Sequence, residues 1–127
     1  MYPHFLKTRK NFVKARFQQK NVFLSTLDSF DKYKTPGNDG IPVEFYKTFW
    51  SVISDSLMNC VNECFENGEI SSSQKQAIIT LIEKKGKDRS LLENWRPISL
   101  VNEDTKIMTK AIASRIKNVL PDIIHPN

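Results

Sequence analysis

The sequence has no apolar run approaching the roughly 20 residues that a helix needs to cross a bilayer, so no membrane span is expected. It carries only two cysteines and two histidines in 127 residues. Cys60 and Cys64 stand four apart, on one face of a helix, and no further Cys or nearby His completes a metal set. They read as two small apolar core residues, compatible with a reducing, intracellular compartment. His4 and His125 lie near opposite ends without partners. There is no Walker-type glycine-rich loop, no Ser-His-Asp set, no zinc spacing and no Tyr-x-Asp-Asp setting. Two-metal phosphoryl transfer needs carboxylates that converge, and none do so in sequence. Glu103-Asp104 stands just before a helix, where capping and the helix dipole explain it. No catalytic residue and no metal ligand is therefore assigned. Met1 to Lys20 has no continuous apolar stretch and is not a secretory signal.

Acid is also missing from the first 20 residues, while Lys7, Arg9, Lys10, Lys14, Arg16 and Lys20 give them a charge of +6. The rest of the chain, with 13 basic and 14 acidic residues, is near neutral. A basic leading arm with Phe5, Phe12 and Phe17 among its cations fits contact with nucleic-acid phosphates, although for the arm taken alone a solvated tail is the better reading. Hydrophobic content of 39% and charged content of 26% describe a globular chain with one modest core.

Along the chain, Phe23, Leu24, Leu27 and Phe30 give a helical spacing over 22–33. Thr35-Pro36-Gly37-Asn38-Asp39-Gly40 cannot continue a helix and forms a turn. Pro42 suits the first turn of a new helix with Phe45, Phe49 and Ile53 on its apolar face. Ser54 is expected to cap the next helix, with Leu57, Cys60, Val61, Cys64 and Phe65 as its stripe and Gly68 as its stop. Ala77 to Ile82 is β-branched, short and bounded by charge, which predicts a strand. A charged loop covers 84–94, and Trp95 to Val101 is a second extended stretch that Pro97 confines to an edge or an irregular segment. Thr105 to Leu120 is the clearest helix, lined by Ile107, Met108, Ala111, Ile112, Ile116, Val119 and Leu120 and ended by Pro121. Trp50 and Trp95 are expected as core anchors. The fold class is α+β, mostly helical with a small β-hairpin.

The hairpin carries the clearest chemistry. Lys84, Lys85, Lys87 and Arg89 cluster at its tip and Arg96 starts its return arm. Lysine offers a mobile point charge and arginine a planar fork, a pair suited to holding phosphates. A solubilising tip would have the same composition.

Several segments resemble reverse transcriptases of non-LTR, LINE-type retrotransposons. Thr35-Pro36-Gly37-Asn38-Asp39-Gly40-Ile41-Pro42-Val43-Glu44-Phe45-Tyr46-Lys47 is similar to their "SPGPDGIPAEFYK". Ile79 to Asp88 resembles "ITLIPKKGKD", and Asn94-Trp95-Arg96-Pro97-Ile98-Ser99-Leu100 matches "NWRPISL". Asn102 to Leu120 resembles the helix that follows, and Ile123-Ile124-His125-Pro126 the "IIHP" after it. The likeness covers about 34–127 in order and in register. It implies a partial reverse transcriptase domain, the fingers of a right-hand polymerase, over 34–127, and leaves 1–33 as the basic arm and helix read above.

In that family the fingers hairpin closes over the incoming nucleotide. Carried over by position, Arg96 contacts its phosphates, with Lys84 or Lys85 as the partner cation. Lys87, Arg89 and the arm cations would meet the nucleic acid, and Lys106, Lys110, Arg115 and Lys117 the template or the solvent. The implied partners are an RNA template, a DNA primer, a deoxynucleoside triphosphate and the palm and thumb; the implied cofactor is Mg²⁺ in the parent polymerase, with none held in this chain. Asn38 and Glu83 stand where the family has Pro, and Glu83 sets a negative charge beside the lysines, which should weaken their site. The family's next block, Gln-Thr-Gly-Phe, and its catalytic aspartates are not present, so the expectation is a fragment that performs no chemistry alone. The other expectation is a non-catalytic nucleic-acid-binding remnant of a retroelement.

Overall fold

The structure is a computed structural model that describes residues 20–124. The expectations for Lys7, Arg9, Lys10, Lys14, Arg16, Phe5, Phe12, Phe17, His4 and His125, and for the side chain of Val119, fall outside what it describes.

Helix α1 spans Lys20–Asp28. Phe23 and Leu27, one turn apart, are completely buried, and Phe30 packs on the core just beyond the helix. Burying each such side chain contributes about 1.5–3 kcal/mol. Leu24 turns outward, and the helix stops at Asp28, short of the predicted 33. Its terminal carbonyls are taken by other donors. Ser29 Oγ donates to Thr26 C=O at 2.6 Å, and Lys47 Nζ donates to Phe30 C=O at 2.6 Å. Lys110 Nζ reaches Ser29 C=O at 3.3 Å and sits 4.3 Å over the Phe30 ring. Cations at a helix C-terminus and over an aromatic face are both favourable.

Helix α2 (Val43–Thr48) follows Pro42, its N-cap, and helix α3 spans Trp50–Asn67 after a one-residue break at Phe49. Two expectations are corrected here. Ser54 does not cap α3 but lies inside it, buried, because the spacing of Trp50, Ile53 and Leu57 carries the helix through it. The buried side of α2 is Val43 and Tyr46; Phe45 and Phe49 are 40% and 47% exposed and pack on each other, centroids 5.0 Å apart. Gly68 closes α3 in the left-handed region at φ 70°.

Helix α4 spans Glu103–Ile123 and buries Ile107, Met108 and Ala111 against α1 and the rest of the core. Pro121 does not end it. A proline in the last turn deletes a single helical bond, and Ile124 N–H donates to Leu120 C=O at 3.0 Å past it. Ile116 and Leu120 extend beyond the core and are exposed.

Strands β1 (Ala77–Glu83) and β2 (Trp95–Val101) pair antiparallel, Ala77 opposite Val101 and Glu83 opposite Trp95. The Lys84 N–H donates to Asn94 C=O at 2.8 Å, which makes 84/94, and by alternation 82/96 and 80/98, the hydrogen-bonded pairs. Pro97, opposite Leu81, thus falls at a position where no donor is required. The strands contact mainly each other, and Ile78, Ile79, Leu81 and Ile82 are exposed. Trp95 belongs to this ribbon and not to the core, donating Nε1–H to Arg89 C=O at 3.0 Å, whereas Trp50 does pack on the core.

Asn102, between β2 and α4, locks the loops together. It is the N-cap residue of α4, but its side chain does not cap. Its Oδ1 accepts Asp39 N–H at 3.2 Å and its Nδ2 donates to Ser73 C=O at 3.2 Å. Gly37 lies against it so closely that a Cβ there would stand 2.5 Å from Asn102 N, Asn102 Oδ1 and Val101 C. Buried Gln74 completes the join. Its Oε1 accepts Ser71 N–H at 3.0 Å and the Cys64 thiol at 3.5 Å, while Nε2 donates to Asp104 Oδ2 at 3.1 Å.

Gly37→Ala is expected to lower unfolding free energy by about 1–3 kcal/mol, since the added methyl meets backbone. A urea midpoint equal to wild type would show that the turn is not pressed against Asn102. Tyr46 supplies a pH test. Burial first, then the charges of Asp104, Asp39 and Glu103, push its hydroxyl pKa far up. Because the folded pKa is raised, this contribution is complete below the unfolded value of about 10 and is lost as pH climbs above it. Alkaline unfolding should therefore be steeper in wild type than in Tyr46→Phe; superimposed curves would remove Tyr46 from the account.

Candidate phosphate-binding hairpin

Alternation along the ribbon sorts its side chains. Ile78, Thr80, Ile82, Arg96, Ile98 and Leu100 share one face, and Glu83 and Trp95 share the other. The 84/94 bond carries this phase one step toward the tip, so Lys84 lies on the Arg96 face. Its ammonium donates to Glu93 C=O at 2.7 Å, which fixes the side chain and leaves two of its three protons. Arg96 is exposed, as are Lys85 and Lys87 at the tip.

The 84–94 loop is tightly organised. Lys87 N–H returns to Lys84 C=O at 3.1 Å, with Gly86 at φ 73° supplying the left-handed step. Asp88 organises the second half: Oδ1 accepts Ser90 N–H at 2.9 Å, and its carbonyl accepts Asn94 Nδ2 at 2.8 Å. The Ser90 N–H, then the Ser90 hydroxyl, hold the Asp88 carboxyl below the usual range. A short 3-10 turn, Leu92–Asn94, feeds the chain into β2.

Arg89 does not project from the tip. Its guanidinium forks onto Glu83, Nη2 donating to Oε1 at 2.8 Å and Nε pairing with Oε2. The negative charge expected to weaken the lysine site is therefore matched by Arg89 and faces away from Arg96. Of the other candidate cations, Lys20 pairs with Asp55 on α3. Lys106 pairs with Glu103, almost wholly buried, at 2.8 Å, and Lys110 is bound to the end of α1. These contacts belong to the fold. They depend on which loops meet in three dimensions, for which charge spacing along the sequence held no signal. Among the described residues no group of three or more His, Cys, Asp or Glu could hold a metal ion. No helix among them is long and apolar enough to cross a membrane. A cleft of about 290 Å³ beside Cys64, Gly68, Ile70 and Met108 is mainly apolar.

The arrangement is thus a small α+β unit presenting a braced cationic ribbon. No protein-family model matches the chain. It is 43% identical over 94 residues to an uncharacterized 149 kDa protein of transposon TX1 from Xenopus laevis. It is 26% identical over 90 residues to a putative 115 kDa protein in the type-1 retrotransposable element R1DM of Drosophila melanogaster. These matches take in 74% and 70% of the chain but only 7% and 9% of the two relatives. The homologues are thus proteins of mobile elements, and both support a retroelement origin for this sequence.

Glu83→Gln frees the Arg89 fork. Affinity for inorganic tripolyphosphate at low salt is expected to rise about two- to five-fold, the range of an exposed pair. Calorimetric titration showing equal or weaker binding would mean that the Glu83 tether helps to orient the tip.

Proposed function

We propose that this chain is the fingers portion of a LINE-type RNA-directed DNA polymerase and that its hairpin binds the phosphates of an incoming deoxynucleoside triphosphate. The observation that carries the reading is the placing of exposed Arg96 and of Lys84 on one face of a ribbon as diagonal neighbours, Arg96 opposite Ile82 and Lys84 opposite Asn94. Arg96 supplies a bidentate fork and Lys84 a compact charge held by the Glu93 carbonyl. Lys85 and Lys87 extend the positive field toward solvent. Such groups neutralise phosphate charge and position the nucleotide without themselves exchanging protons. Similarity to the two mobile-element proteins supports the retroelement part of the reading. The polymerase part rests on the motif resemblance and on this geometry.

Arg96→Ala is expected to weaken binding of a fluorescent deoxynucleoside triphosphate by roughly 10- to 150-fold, the worth of a charge-assisted contact. Arg96→Lys should recover part of it. Triphosphate binding indifferent to Arg96, with RNA binding that falls steeply with salt, would replace this reading with that of a nucleic-acid-binding module.

A further inference from the structure

Tyr33 is the one non-glycine among the described residues with a positive φ, 60°. The left-handed region disfavours a bulky residue by roughly 1–2 kcal/mol. Its ring, 91% exposed, lends the fold no packing in return. The backbone is nevertheless held. Tyr33 N–H donates to the Glu44 carboxylate on α2, and this bond, ahead of the nearby Lys32 and Lys47 charges, keeps the Glu44 pKa low. A residue whose local conformation suits glycine or asparagine, pinned in place while its ring stands in water, has a use outside the fold.

Its neighbours indicate what the ring meets. Lys32 and Lys34 flank it, both exposed. Lys34 is only loosely paired with Asp31, at 3.9 Å, and both of those side chains are largely in solvent. Glu44 faces Lys32 and is occupied by the Tyr33 N–H. The Lys47 ammonium is committed to the end of α1. Protein-binding patches are depleted of lysine at their centres, whereas an aromatic ring between cations suits a base with a phosphate on either side.

We propose that Tyr33 is a stacking platform for an unpaired base of single-stranded nucleic acid, with Lys32 and Lys34 contacting the adjoining phosphates. The site goes beyond the hairpin reading: it needs no triphosphate and no Arg96, and shares only the premise that the chain meets nucleic acid.

The test is fluorescence anisotropy of the chain with a short dye-labelled single-stranded RNA and with the same sequence as a duplex, at one salt concentration. Tyr33→Ala and Tyr33→Gly are expected to weaken single-strand binding about 5- to 150-fold, with Tyr33→Phe within a few-fold of wild type. Duplex binding should not change. Tyr33→Gly, which relieves the backbone, should melt no lower than wild type, so lost binding cannot be blamed on unfolding. Equal single-strand binding by wild type and Tyr33→Gly, equal losses on single strand and duplex, or no single-strand binding by wild type would each overturn the proposal. Failure of the hairpin reading would instead show as triphosphate binding that ignores Arg96.

Discussion

The hairpin makes few contacts with the helices, so its position depends on its base, and the base is held by the approach of Gly37 to Asn102. At that point β2 ends and α4 begins. The Asn102 amide spans the gap between the turn at 37–40 and the turn at 71–76, and Gln74 ties the second turn to Asp104 on α4. A backbone can come this near another only where a Cβ is missing. With the turn held off, Asn102 would lose its bond to Asp39, and the ribbon would swing on Val101. The helices secure their own packing through Phe23, Leu27, Val61 and Ile107. The position of the ribbon is the separate product of one glycine and two amides.

The same contacts explain what was legible in the sequence. Both strands, the turn, the Gly68 stop and the buried Ile107, Met108 and Ala111 of α4 follow from local patterns, because each depends on residues a few positions apart; the same spacing also includes Ile116 and Leu120, which are exposed. Ser54 and Pro121 defeat local reading for different reasons: apolar spacing on both sides carries the helix through Ser54, while Pro121 stands in the last turn, where it removes a single helical bond. Phe45 and Phe49 are exposed despite their spacing, because apolar spacing identifies a face but not what covers it. The spacing of Cys60 and Cys64 points to the core. They are half-buried, and Cys64 also donates to Gln74, a partner ten residues away that spacing does not announce.

At the candidate site, residue types were legible and their commitments were not. The sequence places Lys84, Lys85, Lys87, Arg89 and Arg96 within one hairpin but does not rank them. The pairing phase sets Lys84 and Arg96 on one face and Glu83 on the other. A one-residue slip would carry Arg96 to the opposite face, beside Glu83, and separate it from Lys84. Arg89, which composition makes equal to the rest, is bound to Glu83 across the neck of the loop, so it shapes the tip more than it charges it. The cations of α4 illustrate the same point, since Lys106 and Lys110 already serve a buried glutamate and the end of α1.

Charge on this chain is thus divided by duty. Cations near the helical core are absorbed by carboxylates and carbonyl termini, where their desolvation is offset locally. On the ribbon and its tip, Arg96, Lys85 and Lys87 stand in water, whereas Lys84 is half-buried and donates to Glu93 C=O. A polyanion arriving at the tip would meet Lys85 and Lys87 first, as mobile point charges, and the Arg96 fork only after settling on the ribbon face. Long-range attraction and geometric selection would then reside in different side chains. Raising the salt concentration should weaken the first far more than the second, because a bidentate contact at close range is screened least. The rigidity of the loop matters for that division: an unbraced tip would let Lys84 and Arg96 separate, and selection would fall back on charge alone.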